Sequence, residues 1–309
     1  MKCFVTGATG HLGSFLVRRL LKDGHQVAIL RRPASHLNRI ADIDSEMENI
    51  EGDLNDLSRC ADQVIAFKPE IAFHLAWQGT TAEVRDSPDQ ITHNVASTLK
   101  LLEIIQRAGC KVFVGIGSQA EYGLVSGIVC EDHPARPVTT YGLAKYCLSL
   151  LTAEYCRRTD IRAVWLRVFS VYGPGDDPGH MLPSLISNLF DGDSPALTAG
   201  DQLWDYLYID DAVDAICAAA FTPSLAGVFN VASGKALFLR TIVERVRDII
   251  NPSIHLRFGE LPYRADQVMH LEGDINRLTS ATSWRPRTSL KTGMQRTIDW
   301  QRNNRLAKS

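Results

Sequence analysis

Two short stretches of the chain carry side chains that could move a proton. Tyr141-Gly142-Leu143-Ala144-Lys145 sets a phenol and an ammonium four residues apart, and on a helix positions i and i+4 share one face. A phenol with a pKa of about 10 is a poor proton donor or acceptor at neutral pH. An ammonium one turn away favours phenolate and lowers that pKa. The second stretch, Gly117-Ser118-Gln119-Ala120-Glu121-Tyr122-Gly123, closes an apolar run that reads as a strand over 111–118. A hydroxyl at such a strand end, Ser118, suits a donor that steadies the oxygen being made or consumed. Ser118, Tyr141 and Lys145 are therefore the candidate catalytic group, for chemistry at an oxygen-bearing carbon.

A third stretch supplies what such chemistry would need beside it. In Thr6-Gly7-Ala8-Thr9-Gly10-His11-Leu12-Gly13 three glycines sit three apart, between a short buried strand (Cys3, Phe4, Val5) and a helical pattern (Leu12, Phe15, Leu16, Leu20, Leu21). Gly7 serves the turn, Gly10 the close approach of backbone to a ligand, and Gly13 the packing of helix on strand. The helix N-terminus aims free N–H groups and a positive dipole end at the loop, which suits a phosphate. The stretch reads as a dinucleotide cradle. An acid about 20 positions further on normally holds the ribose 2′-hydroxyl of NAD. Here the second strand ends Leu30-Arg31-Arg32-Pro33, and no acid lies between Asp23 and Asp42. Guanidinium forks match phosphate oxygens, so Arg31 and Arg32 point to a 2′-phosphate and to NADP(H) rather than NAD(H).

The elements that must position these residues alternate through the first half. Strands are expected at 25–31, 48–53, 71–76, 111–118 and 162–170, with helices over 57–67, 90–107 and 140–158. That alternation predicts an α/β fold: a doubly wound parallel sheet (Rossmann) with helices on both faces. After Gly173 the pattern is mixed, with short strands at 195–199 and 204–209 and helices at 210–221 and 239–250. The expected division is a dinucleotide-binding domain over 1–172, with strand 227–233 returning to it, and a smaller C-terminal α/β substrate lobe over 173–309.

Composition narrows the partners. With 309 residues, 45% of them apolar, the chain can bury a sizeable core. A net charge of −2 implies neither nucleic acid nor an anionic membrane as partner. No apolar run reaches the roughly 20 residues of a membrane span, and the apolar N-terminus reads as a strand rather than a signal peptide. Seven cysteines without a C-x-x-C pair imply reduced thiols and a cytoplasmic setting, and nine histidines without H-x-H or H-E-x-x-H spacing give a metal site no support.

Taken together, these motifs resemble the extended short-chain dehydrogenase/reductases, the NAD-dependent epimerase/dehydratase family, over nearly the whole chain. T-G-x-x-G-x-x-G matches residues 6–13. The family's G-D stretch beside the adenine matches Gly52-Asp53-Leu54, and its H-L-A stretch beside the nicotinamide matches His74-Leu75-Ala76. Its helix asparagine matches Asn94. S-x-x-x-Y-G and Y-x-x-x-K match residues 118–123 and 141–145. L-R-x-x-x-V-Y-G-P matches residues 166–174 and includes Val168. The resemblance implies hydride transfer between nicotinamide and a sugar carbon, with the proton on Tyr141, the oxygen steadied by Ser118, and Lys145 on the nicotinamide ribose. It implies dinucleotide contacts from Thr9, His11 and Leu12 in the loop, and from Asp53, Leu54, Leu75, Ala76 and Val168 elsewhere. It places Gln119, Glu121, Trp204 and Arg264 beside the substrate, while Tyr122 packs. It also implies a homodimer through the helices at 90–107 and 140–158.

Two departures bear on the reaction. The family's 4,6-dehydratases carry Asp-Glu after the Ser/Thr, where this chain has Gln119-Ala120, so dehydration is disfavoured. Many relatives clamp the substrate diphosphate with an arginine just before D-Y/F-x-Y, where this chain has Trp204. The expected activity is NADPH-dependent reduction of a nucleotide-linked 4-keto-6-deoxy sugar, to which the segment 258–264 is also most similar. The alternatives are a nucleotide-sugar 4-epimerase, a reductase of a smaller carbonyl compound, and a non-catalytic NADP sensor.

Overall fold

The computed structural model describes residues 1–264 and 267–306. Among them seven strands form the central sheet: β1 (Lys2–Thr6), β2 (Gln26–Arg31), β3 (Glu48–Glu51), β4 (Ile71–His74), β5 (Val112–Ser118), β6 (Arg162–Val168) and β7 (Gly227–Val231). The order across the sheet is β3-β2-β1-β4-β5-β6-β7, and each neighbouring pair is parallel. A sheet covered on both faces reads as continuous apolar sequence rather than as alternation. Accordingly Val5, Ile29, Phe73 and Val114 face one core with the helix Ile209–Phe221, while Phe4, Ala28, Ala72 and Phe113 face another with the helix Asn94–Arg107. The chain turns back between β1 and β4, and such a switch point opens a crevice at the strands' carboxyl ends.

Over that end lies a smaller lobe. The helices Met181–Phe190, Leu239–Ile250 and Leu290–Leu306 bury Leu185, Ile186, Ile242, Val246, Met294 and Ile298 against one another. A four-stranded sheet runs Leu237–Phe238, Leu203–Trp204, His270–Gly273, Ser126–Val129.

Several expected elements differ in detail. The helix at 57–67 starts as a 3-10 turn, Leu57–Arg59, before Ala61–Phe67, and the helix at 90–107 is divided at His93. The single strand expected at 204–209 is two, because Asp205 breaks it. Leu203–Trp204 joins the small sheet, whereas Tyr206–Tyr208 pairs with Ser170–Tyr172. The fully buried Asp205 carboxylate accepts from the backbone N–H groups of Ser233 (2.8 Å), Gly234 (3.1 Å) and Gly273 (3.2 Å), which ties the chain leaving β7 to the small sheet.

Candidate active site

The glycine loop is built as a cradle. Gly7 has φ +77°, and a Cβ there would lie 2.6 Å from Ala76 N, so only glycine lets the end of β1 pass against the segment after β4. At Gly13 a Cβ would collide with the Gly7 carbonyl. Gly10 precedes the helix His11–Lys22 without a side-chain cap, and no acid stands in its first turn. The first-turn amides are thus left to an anion, and the loop fits the diphosphate of a dinucleotide. Leu75 N donates to Thr6 O (3.1 Å) and Ala76 N to Thr6 Oγ1 (3.3 Å), locking the ends of β1 and β4 side by side.

Two residues bridge this loop to the segment after Ser170–Tyr172. His11 Nε2 lies 3.1 Å from Pro174 O, and its Nδ1 lies 3.3 Å from the Asp176 carboxylate. Arg39 donates to Gly175 O (2.9 Å) and Thr9 O (3.4 Å). Burial holds the His11 imidazole below its ordinary pKa, whereas the hydrogen bond to Asp176 raises that of His180, 2.9 Å from the same carboxylate. The sequence motifs gave no sign of Arg39 or Asp176 here.

The two arginines expected to receive a 2′-phosphate are not equivalent. Arg31 Nη1 sits 3.2 Å from the Asp44 carboxylate, which folds back from beyond the strand end, so this guanidinium already has an anion. Arg32 is exposed. Asp53 accepts from Asn55 N (2.8 Å) and closes a turn there, Leu54 packs against the core that includes Phe4 and Phe113, and Val168 ends β6 in register with Ser118.

Ser118, Tyr141 and Lys145 converge at the carboxyl end of β5. The helix Thr140–Thr159 is capped by Thr139 Oγ1, which accepts from Gly142 N (3.1 Å). A Cβ on Gly142 would collide with Ala120 O, so this glycine seats the helix start on the turn that follows Ser118. Ser118 Oγ accepts from Ala120 N (3.2 Å), and the Ser118 side chain is close enough to the Tyr141 hydroxyl to favour its phenolate. Lys145 Nζ donates to Ile116 O (2.6 Å), lies 3.6 Å from the centroid of the Trp77 ring, and stands 5.9 Å from that of Tyr141. The Arg85 guanidinium lies 5.1 Å from the Tyr141 ring. Burial raises the Tyr141 phenol above its ordinary value, against the Ser118 side chain and the Arg85 charge. Burial also pulls the Lys145 ammonium down to about 7, opposed by the charge of Glu121. Contrary to the expectation from Y-x-x-x-K spacing, burial outweighs any lowering of the phenol by the Lys145 ammonium; the phenol and ammonium still stand where one proton can pass to or from an oxygen held beside them. Trp77 and Arg85 lie outside the motifs, and their roles come from the fold.

The residues expected at the substrate are divided. Gln119 is half-buried in the turn after Ser118, and Arg264 lies on an exposed segment. Trp204 Nε1 donates to Ser170 Oγ (2.7 Å), and the ring lines a cavity of about 380 Å³ with Tyr172 and Tyr206. Glu121 is not at the substrate face. It is fully buried beneath Ser118, its carboxylate engaged by Ser118 N, Trp165 Nε1 and Arg167 Nε. Tyr122 is buried, donating to Asn230 Oδ1 (2.7 Å), and Asn94 holds both backbone groups of Gln78. Among the described residues no group of three or more His, Cys, Asp or Glu side chains could hold a metal ion, and no helix is long and apolar enough to cross a membrane.

Comparison with known proteins agrees with this geometry. The model of the NAD dependent epimerase/dehydratase family matches residues 3–232. The UDP-glucose 4-epimerase of Mycolicibacterium smegmatis is 30% identical, over 98% of this chain and 99% of its own. The dTDP-6-deoxy-L-talose 4-dehydrogenase (NAD(+)) of Aggregatibacter actinomycetemcomitans is 28% identical, over 88% of this chain and 99% of its own. Among solved structures, the UDP-glucose 4-epimerase of Thermus thermophilus in complex with NAD superposes with a TM-score of 0.86 at 25% identity, covering 98% of this chain and 99% of that one.

Proposed function

The chain belongs to the NAD-dependent epimerase/dehydratase family, and from that premise we propose that it inverts the C4 hydroxyl of a nucleotide-linked hexose, using a retained nicotinamide dinucleotide. The observation that carries this reading is a complete Ser118–Tyr141–Lys145 group beside a dinucleotide loop bridged by His11 and Arg39 to residues 174–176. An enzyme that oxidises and then re-reduces one substrate must keep its cofactor between the two halves, and a bridged groove favours that. The names of the M. smegmatis and T. thermophilus relatives support a UDP-hexose as substrate.

The glycine loop, with the amides of Leu12 and Gly13, would hold the diphosphate, Asp53 and Leu54 would border the adenine, and Leu75, Ala76 and Val168 the nicotinamide end. A bound dinucleotide would supply the nicotinamide that takes up a hydride from C4 and gives it back. Tyr141 takes the C4 hydroxyl proton as the carbonyl forms and gives it back, Ser118 bonds the same oxygen, and Lys145 eases proton loss from the phenol. Inversion requires the keto sugar to present its other face before the proton returns. Gln119, Trp204 and Arg264 border the sugar nucleotide in this reading. Dehydration is not part of it, since neither Gln119 nor Ala120 can serve as acid or base. The protein acts as a homodimer joined through the helices Asn94–Arg107 and Thr140–Thr159.

One observation favours a second reading. Arg32 is exposed at the end of β2 beside the paired Arg31, and a free guanidinium there suits NADPH and net reduction of a 4-keto sugar. Purified protein is incubated with UDP-glucose or UDP-galactose without added cofactor, and products are followed by NMR. Interconversion is expected. Stoichiometric NADPH loss with a nucleotide-linked 4-keto-6-deoxy sugar, without interconversion, would replace the epimerase by the reductase, and neither activity would overturn both.

A further inference from the structure

Behind Ser118 lies a buried carboxylate that the proton transfer above does not touch. Glu121 is 0% exposed. Its Oε1 accepts from Ser118 N (2.9 Å) and Trp165 Nε1 (2.9 Å), and its Oε2 accepts from Arg167 Nε (2.8 Å). Gly117 makes room for this meeting, since a Cβ there would collide with both the Glu121 carboxylate and the Trp165 indole nitrogen. Arg167 is buried as well, with its guanidinium 4.4 Å from the Tyr122 ring centroid and a hydrogen bond to Glu131 O (3.3 Å). Buried ion pairs of this kind are often no more stabilising than apolar packing of the same volume. A role beyond stability is therefore worth assigning.

We propose that Glu121 is a positioning residue: it anchors the Ser118 amide so that the serine hydroxyl faces Tyr141, and its charge tunes the proton affinity of the Tyr141–Lys145 pair. The proposal rests on the reading of Ser118, Tyr141 and Lys145 as the proton-transfer group. The charges facing the pair come from three directions. Glu121 stands in the turn after β5, and Arg85 stands over Tyr141 from the segment before Asp89–Thr92. At the end of β4, His74 is neutral, held by burial down to about 3. The Arg167 charge on β6 is paired with Glu121 itself. On the helix of the pair, Glu154, Arg157 and Arg158 lie at the far, exposed end. Glu121 is thus the negative charge that opposes proton loss from both members. The phenolate of Tyr141 is the form that can accept the sugar's proton. Removing the Glu121 charge must let the phenol, and the Lys145 ammonium beside it, lose a proton at lower pH.

Glu121→Gln keeps an oxygen for the Ser118 amide and removes the charge, whereas Glu121→Leu removes both. The purified full-length protein is titrated by ultraviolet phenolate absorbance, with Tyr141→Phe as the blank, and single-turnover oxidation of UDP-glucose is followed across pH. In Glu121→Gln the midpoint of both curves should fall by about one pH unit, with most of the plateau rate kept. Glu121→Leu should also lose plateau rate, and Glu121→Leu with Ser118→Ala should lose no more than Ser118→Ala alone. An unchanged midpoint, or losses that simply multiply, would overturn the proposal. If Glu121→Gln unfolds by leaving Arg167 unpaired, Glu121→Gln with Arg167→Met removes both charges, and the midpoint should still fall. No oxidation of UDP-glucose with a shifted phenolate titration would sink the substrate reading and leave this one standing. Oxidation with an unshifted titration would do the reverse.

Discussion

Tyr141 is asked to exchange a proton from a place that disfavours its phenolate, since burial raises its pKa while Ser118 and Arg85 work the other way. Tyr141→Phe removes the proton and keeps the ring against Trp77 (5.8 Å, edge-on), so packing should survive. Single-turnover oxidation should fall by about 10² to 10⁴-fold, as for loss of a general acid–base. Dinucleotide affinity, titrated separately, should stay the same, because the proposed function seats the diphosphate on the glycine loop. Lys145→Met should weaken both. A Tyr141→Phe rate above about a tenth of wild type would remove Tyr141 from the proton path. This group was legible in the sequence because its geometry is local: one helical turn, one strand end, one glycine-spaced loop. Glu121 was misplaced there because what engages it, Trp165 and Arg167, lies 44 and 46 residues further along. Arg31 looked free for a similar reason, since Asp44 returns to it from beyond the strand end where an acid is sought.

At the scale of elements, the crevice depends on β1, β4 and the helix Asn94–Arg107 being held in one register, and His74 is the tie. Its Nδ1 is 2.8 Å from Thr6 Oγ1 and its Nε2 is 2.9 Å from Thr98 Oγ1. Thr98 already donates to Asn94 O (2.7 Å), so Nε2 must donate to Thr98 and Nδ1 must accept from Thr6. Only the neutral imidazole does both, and burial, aided by Lys145, holds its pKa at about 3 against an ordinary 6.5. The unfolded chain binds this proton below about 6.5 and the folded chain does not. The stability contributed by His74 is therefore complete above that pH and is lost progressively as pH falls toward 3. Thermal melts of wild type and His74→Gln should diverge least at low pH and most above pH 6.5 if the tie acts as described. A constant difference across pH would show that His74 does not titrate on unfolding. The sheet strands were legible as apolar runs because both faces are covered. The helices Met181–Phe190 and Leu290–Leu306 were not. The first carries Pro183, tolerated because it falls in the first turn. The second carries Gly293, where a side chain would collide with the Tyr172 hydroxyl, and its polar sequence hides the few residues, Met294 and Ile298 among them, that reach the core. The strands of the small sheet are two to four residues long, and their pairing is set by distant partners rather than by any local pattern.

At the scale of the molecule, the helix that carries Tyr141 and Lys145 has a second face. Leu143, Leu150 and Leu151 recur at spacings of seven and eight along Thr140–Thr159 and are 48%, 55% and 37% exposed. That makes an apolar stripe on one side of the helix, while Lys145, Leu148 and Thr152 are buried on the other. The helix packs on Asn94–Arg107, from which Thr98 reaches His74. A second copy covering the stripe would bury apolar area worth on the order of 25 cal/mol per Å² and would brace the helix start against the turn after Ser118. Leu143→Glu with Leu150→Glu places charges on that stripe without touching the buried face. Light scattering should then report half the wild-type mass, with an unchanged far-ultraviolet dichroism spectrum. Because Tyr141 stands on the same helix, the monomer should also lose turnover while keeping most of its dinucleotide affinity, which the proposed function assigns chiefly to the glycine loop. An assembly that keeps its mass after these two substitutions would place the contact elsewhere, and a monomer of full activity would show that the site needs no second copy.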